Sequence, residues 1–276
     1  MKPKLGYKVF RAVALAIFLI FALFPIYWMI NTSFKPLSDA ASVPIQYWPQ
    51  NFTLQNYSDV LRLTNFPTFF GNSLIVSLTA GFLTVLVSIF AAYGIARFNF
   101  KGKSFSMLLL LVTQMVPALV LIVPLFIAFS QMNIIDTRLS LIIPYFITAI
   151  PFCTLMMVGF FKQVPYSLEE SAMLDGCTRM QSLGRIVMPV VMPGVISSFV
   201  FAFIGAWNEL FFGVMFINSE GMKTIPPGIS MFIQKVDVNW ANMTAAATLS
   251  LIPAMVLFFI VQKYLVQGLT AGSVKG

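Results

Sequence analysis

Histidine is absent from this 276-residue sequence, and acidic residues number only nine. The lack of histidine removes the commonest general base, proton shuttle and metal ligand together. The two cysteines, Cys153 and Cys177, have no metal-ligand spacing. One lies in an apolar run and the other in a polar segment, so both are expected to be free thiols. No GxxxxGK[ST] loop occurs, so the chain has no such cradle for ATP. Charged residues make up 9% of the chain, whereas a soluble domain carries about 25%. The hydrophobic share is 59% and the mean hydropathy +0.88, which excludes a soluble globular protein.

In place of charge there are long apolar runs. A helix crosses a bilayer with about 20 mostly apolar residues. Six runs qualify, at about 12–32, 72–95, 106–129, 139–161, 190–211 and 246–266. They predict an all-α integral membrane protein with six transmembrane helices, forming one domain over residues 1–276. None has a charge at its middle. Glu209 lies near the end of the fifth, and Lys263, in the last turn of the sixth, can snorkel to the surface. The first run follows the basic stretch MKPKLGYKVFR. It is longer than a signal-peptide core and ends in no small-x-small cleavage site, so it is read as an uncleaved first helix.

Of the seventeen lysines and arginines, twelve fall on one side of these spans and five on the other. The richer side is predicted to be cytoplasmic, with both termini there. The net charge of +8 is therefore mostly a topology signal, and a nucleic-acid partner is not expected. Pro117, Pro124, Pro144, Pro151, Pro193 and Pro253 lie within the runs and are expected to kink them. Kinks suit a gated pathway, or simply an irregular bundle.

One segment breaks the apolar character. Residues 165–189, on the predicted cytoplasmic side between runs four and five, contain SLEESAMLDGCTRMQSLGRIVMP. Ser167 stands three residues before Glu170, and Thr178 three before Gln181, two capping-box spacings. Gly176 between them can take the left-handed conformation that ends a helix. The expected element is a short helix, a glycine turn and a second helix running to Pro189. Leu168, Ala172 and Met173 share one face, as do Met180, Leu183 and Val187, and such a face must be buried against something. A lipid surface is one candidate. Three acids against two bases over 165–189 disfavour anionic lipid and nucleic acid. Docking on a protein partner fits better.

At these residues the chain resembles the permeases of ABC-type importers, whose cytoplasmic motif is written EAA-x3-G-x9-I-x-LP. Glu170-Ser171-Ala172 stands for EAA, Gly176 and Ile186 keep the spacing, and Met188-Pro189 replaces Leu-Pro. NFTLQNYSDVL at 51–61, AAYGIARFNFKGK at 91–103, AWNELFF at 206–212 and QGLTAGSVKG at 267–276 are similar to the carbohydrate subfamily, in particular the smaller permease of maltose-type importers.

The resemblance implies a type I importer permease fold with a cytoplasmic coupling helix. It implies four kinds of neighbour: a second homologous permease, two ATP-hydrolysing subunits, an extracytoplasmic sugar-binding protein and the lipid bilayer of the plasma (inner) membrane. ATP and magnesium would sit on the ATPase subunits, with no cofactor, metal or catalytic residue on this chain. Glu169, Glu170, Ser171, Ala172, Asp175, Gly176, Leu183, Ile186 and Pro189 would serve ATPase coupling. In the tail, a short flexible segment, Gly268, Thr270, Gly272 and Lys275 would meet the ATPase interface. The loops at about 33–71 and 212–245 would face the binding protein, with PPGISMFIQ forming a short element.

Sugar recognition needs hydrogen-bonding groups and aromatic faces. Asn72, Gln114, Trp207 and Asn208 are candidates for the path, although each could equally bond a neighbouring helix. Glu209 is read as structural or as part of a gate. The apolar spans carry no mid-span charge of the kind an ion-coupled carrier uses. The remaining alternatives are an importer permease for another solute and, more remotely, an ATP-independent carrier.

Overall fold

A computed structural model describes residues 5–233 and 238–271, with 5 and 263–271 as backbone only. In chain order the helices are α1 (Leu5–Ser33), α2 (Gln55–Leu63), α3 (Phe66–Arg97), α4 (Lys103–Thr113), α5 (Ile122–Gln131), α6 (Leu139–Gln163) and α7 (Tyr166–Leu174). They continue with α8 (Arg179–Trp207), α9 (Phe211–Phe216), α10 (Ile225–Ser230) and α11 (Trp240–Ala271). Among the described residues, extended pairing is limited to one antiparallel bridge, Ile233 with Val238.

Five of the six predicted spans are single helices long and apolar enough to cross a membrane. The third, expected as one helix over 106–129, is broken. α4 and α5 are bent by 90° across residues 114–121. Pro117 lies in extended backbone at φ −60°, ψ 129°, and a 3-10 turn, Ala118–Leu121, leads into α5. A proline disfavours helical geometry in the residue before it and lacks the N–H to continue the ladder, so this one ends the helix rather than kinking it. Pro124 lies in the first turn of α5, where a missing N–H is tolerated. Pro144, Pro151, Pro193 and Pro253 lie inside helices.

The fifth span also differs. The second helix of the polar segment and the run at 190–211 are one rod, α8, which ends at Trp207. Pro189 does not interrupt it. Residues Leu183–Val187 form a π turn, in which the Met188 N–H bonds the Leu183 carbonyl. Pro189 then falls in the first turn of the α-helical part, Met188–Trp207, where proline is tolerated.

The contacts gather into two units. One comprises the described residues within 1–67 and 228–252. Around the end of α1, the Asn56 amide donates to the carbonyls of Ser33 at 2.8 Å and Lys35 at 2.7 Å. Phe34 stacks on Phe52 with centroids 4.9 Å apart. The Lys35 ammonium is buried over the Trp28 ring, 4.6 Å from its centroid, and donates to the Gln46 carbonyl. Burial lowers the Lys35 pKa, and the charge of Asp39 opposes that shift.

The other unit comprises residues 68–227 and the described residues from 253 onward. α6 and α8 pack along each other. They approach closely at Gly194, where a Cβ would lie 2.5 Å from the Phe160 ring. Two apolar cores result. One joins Val76, Ile122, Leu141, Tyr145, Phe212 and Phe216. The other joins Ala92, Tyr93, Met157, Phe161, Leu183 and Val187 at the end that carries α7. Lipid tails are as apolar as these side chains, so tight packing and polar links hold such a bundle, with little help from water exclusion. Thr154 and Ser88, buried with oxygens 3.3 Å apart, supply one such link between α6 and α3.

Candidate coupling segment and pathway

α7 begins after Pro165, two residues earlier than the Ser167–Glu170 capping box requires. Ser167 therefore lies inside the first turn, and no side chain caps the helix. Its other end follows the expectation. Gly176 has φ +87°. The Cys177 N–H bonds the Ala172 carbonyl at 3.0 Å, and the Gly176 N–H bonds the Met173 carbonyl at 3.1 Å. That pair of bonds is a Schellman motif. The second capping box is formed: Gln181 N–H donates to Thr178 Oγ1 at 3.3 Å, and Thr178 N–H to Gln181 Oε1 at 2.8 Å.

The apolar face that seemed free for a partner is largely taken up by the chain itself. Leu183 and Val187 belong to the core with Tyr93 and Phe161, and Ala172 is buried. Ile186 and Met173 are half-buried. Exposed instead are Glu170, Ser171, Asp175, Gly176 and Pro189, together with Leu168, Leu174 and Met180. Leu174 is 88% exposed.

Glu169 and Glu170 point apart, because neighbouring residues on a helix are about 100° apart around its axis. Glu169 is 1% exposed, so a direct partner contact is closed to it. Its carboxylate pairs with the Arg97 guanidinium and accepts from the Tyr93 hydroxyl at 2.7 Å. Arg97 also donates to the Val164 carbonyl at 3.0 Å. Across the turn, the Arg179 guanidinium lies 4.7 Å from the centroid of the Phe98 ring and donates to the Tyr166 hydroxyl at 3.2 Å.

The broken third span borders a chain of cavities. They measure about 360, 240 and 250 Å³ and adjoin through Gln114, Ala118, Thr148, Glu209 and Phe212. The Glu209 carboxylate accepts from the N–H groups of Phe211 at 2.8 Å and Phe212 at 3.1 Å, capping α9. It also accepts from the Tyr145 hydroxyl at 2.8 Å.

Of the residues expected on a solute path, only Gln114 borders these cavities. Asn72 is fully engaged elsewhere. Its amide nitrogen donates to the carbonyls of Gly221 at 2.9 Å and Lys223 at 3.0 Å, and its oxygen accepts from Arg138 at 2.9 Å. Trp207 is 3% exposed, stacked on Phe203 and edge-on to Phe70. Asn208 is exposed at the end of α8. Tyr145 and Thr148 were missed, although two polar groups three residues apart in an apolar run were a legible signal.

At the opposite end from α7, residues 216–225 are pinned at several points. The Asp136 carboxylate accepts from the N–H groups of Asn218 and Ser219, both at 2.9 Å, and from the Ser219 hydroxyl. The Ser219 hydroxyl bond is the main cause holding the Asp136 pKa below its ordinary value; partial burial opposes it and the backbone bonds assist. Ser73 Oγ accepts from the Ile225 N–H at 2.8 Å. The expected short element in this loop is α10. In the tail, α11 carries the backbone through Gly268 and Thr270, where a flexible segment was expected. Gly272 and Lys275 lie outside the described residues.

Helices long and apolar enough to cross a membrane, a helix–glycine–helix segment at one end and a largely apolar cleft between spans are features that a membrane transport subunit would use. The family model for the binding-protein-dependent transport system inner membrane component matches residues 84–271. The chain is 36% identical over 269 residues to the sulfoquinovosyl glycerol transport system permease protein SmoH of Agrobacterium fabrum, covering 98% of this chain and 94% of that one. It is 34% identical to the diacetylchitobiose uptake system permease protein DasC of Streptomyces coelicolor and 32% identical to the trehalose/maltose transport system permease protein MalG of Thermococcus litoralis. Both alignments cover 100% of each chain. The fold is that of a solved bacterial ABC transporter involved in the import of alginate, at a TM-score of 0.81 and 19% identity over 94% of this chain and 96% of that one.

The chain belongs to the family of binding-protein-dependent transport system inner membrane components. It is a multi-pass transport subunit and not an enzyme.

Proposed function

We propose that the chain is a permease subunit of an ATP-driven ABC importer that moves a sugar, an oligosaccharide or glycoside, into the cytoplasm by alternating access. Two ATPase subunits dock on the exposed side of residues 167–189 and carry the ATP and magnesium. A second permease completes the membrane pathway, and an extracytoplasmic binding protein delivers the sugar at the end where residues 216–225 lie. Both termini are cytoplasmic, and the tail at Gly268, Thr270, Gly272 and Lys275 meets the ATPases.

The observation that carries this reading is the geometry of the coupling segment. A rigid, Schellman-capped turn exposes Glu170, Ser171, Asp175 and Leu174 while its inner side is fastened to the spans. Such an element turns a push from outside into motion of α6 and α8, which are continuous with it. The substrates named for the relatives, trehalose, maltose, diacetylchitobiose and sulfoquinovosyl glycerol, support a sugar cargo. The cleft has the chemistry for one. Gln114 and Thr148 offer hydrogen-bonding groups, and the exposed Phe201 offers a ring.

The test is gentle purification of the tagged chain from its own membranes, then reconstitution with its binding protein. A second permease and an ABC ATPase should copurify, and trehalose, maltose or diacetylchitobiose should enter liposomes only with ATP. Uptake by the isolated chain without ATP would overturn the reading. Stimulation by a non-sugar solute alone would remove the sugar assignment and leave the importer.

A further inference from the structure

α6 and α8 move with the coupling segment because the chain joins them to it. α3 has no such connection, since its last residue, Arg97, lies 72 positions before Glu169. Yet its end is fastened on both sides of the Gly176 turn. Arg97 holds Glu169 of α7, and the two side chains are 6% and 1% exposed. Tyr93, one turn back on α3, holds the other carboxylate oxygen. Phe98, just past the helix, lies under Arg179 of α8.

Stability alone does not account for this arrangement. Burying an ion pair costs desolvation, and apolar residues of the same volume often do as well or better. A guanidinium–carboxylate pair differs in being directional. It fixes orientation as well as distance, whereas an apolar contact can slide.

The far end of α3 carries a second set of fastenings. Asn72 holds the Gly221 and Lys223 carbonyls, and Ser73 holds the Ile225 N–H. At 1.5 Å per residue, the 32 residues of α3 span roughly 48 Å. One rod therefore joins the coupling segment to the loop at the opposite end.

We propose that Arg97 and Glu169 are positioning residues that lock α3 to the coupling segment, so that a push on the segment travels along α3 to residues 216–225. The proposal rests on the coupling reading above and adds a third driven span with the pair that drives it.

The test uses the assembled complex in nanodiscs, with Cys153 and Cys177 replaced by serine and nitroxide labels at position 90 of α3 and position 163, where α6 runs into the coupling segment, both exposed and outside the docking side. The distance between the labels is measured without nucleotide and after trapping with ATP and vanadate. In the otherwise native chain it should be narrow and the same in both states, because the two elements move together. In Arg97→Met the distribution should broaden or shift on trapping by about 2 Å or more, the scale of helix shifts at moving interfaces. ATP hydrolysis should persist in that variant. The exchange Arg97→Glu with Glu169→Arg should restore the narrow, unchanged distance.

An unchanged, narrow distance in Arg97→Met overturns the proposal. If Arg97→Met does not assemble, the exchange decides: restored assembly with a constant distance supports the lock, and failure to restore it overturns the lock. A native complex that retains no ATPase sinks the coupling reading itself, and this proposal falls with it.

Discussion

Gly176 separates two roles that a glycine can play. Its φ of +87° is a left-handed conformation, which costs another residue about 1–2 kcal/mol. A Cβ there would meet nothing within 4 Å in this chain. Gly176→Ala should therefore loosen the turn slightly and keep most ATPase binding, measured as ATPase retained on the tagged complex. Gly176→Leu projects a branched side chain into the space a docked subunit would occupy, and should release the ATPase. Sugar transport by Gly176→Leu at the native rate would refute the docking role. Asp136 makes a prediction in pH. Its folded pKa is depressed by the Ser219 hydroxyl and two N–H bonds, so the unfolded loop binds a proton more readily. Its contribution is fully present above the ordinary aspartate value, about 3.9, and is lost as pH falls through the folded value. Hydrogen exchange of the Asn218 and Ser219 amides, corrected for intrinsic rates, should be flat from neutral pH down to about 4 and then rise. Asp136→Ala should raise it at neutral pH by about fivefold, which corresponds to about 1 kcal/mol of lost hydrogen bonding.

At the scale of elements, the coupling segment has an inner and an outer side, and a pair of substitutions reads them separately. Leu183 is 3% exposed inside the bundle, so Leu183→Ala should destabilise it by about 2–5 kcal/mol and lower the melting temperature of the purified complex. Leu174 is 88% exposed, so Leu174→Glu should leave the melting temperature of the chain alone and reduce the retained ATPase. Equal effects of the two on melting would mean that the outer side is not a docking surface. This division was only half legible in the sequence. Periodicity showed one apolar face with Ala172 and a second with Leu183 and Val187, but amphipathicity cannot say which neighbour covers a face, and the chain's own α3 and α6 cover Leu183 and Val187. The glycine turn and the Thr178 box were legible because each is a local rule about a few successive residues. The Glu169–Arg97 pair was not, because it joins residues 72 positions apart. The spans were legible from length and apolarity alone. Pro117 could not be told from Pro144 by sequence, since a membrane proline kinks or breaks a helix according to what its neighbours supply. Asn72 was placed on a path for a related reason. A polar residue in an apolar run signals a polar contact without naming the partner, here Arg138 and two backbone carbonyls.

For the whole molecule, the question is where force enters and what it meets. α1 buries none of its apolar window within the chain, whereas α6 buries 44% and α3 and α8 39% each. The three helices that touch the coupling segment are thus also the most buried of the five single-helix spans. A push on the segment meets a stiff body of three helices, and stiffness is what lets packed elements switch between discrete arrangements in place of deforming gradually. α11 ends on the same predicted side as the segment, since an even number of crossings returns the chain to the side where it began. If the tail is a second grip for the ATPases, removing it should weaken coupling while the bundle keeps its packing. Truncation after Leu269 should leave assembly and melting temperature intact and lower the sugar imported per ATP hydrolysed by at least about fivefold, a loss of about 1 kcal/mol in coupling. An unchanged ratio would confine the ATPase contact to residues 167–189, and the force would then enter the membrane through α7 and its glycine turn alone.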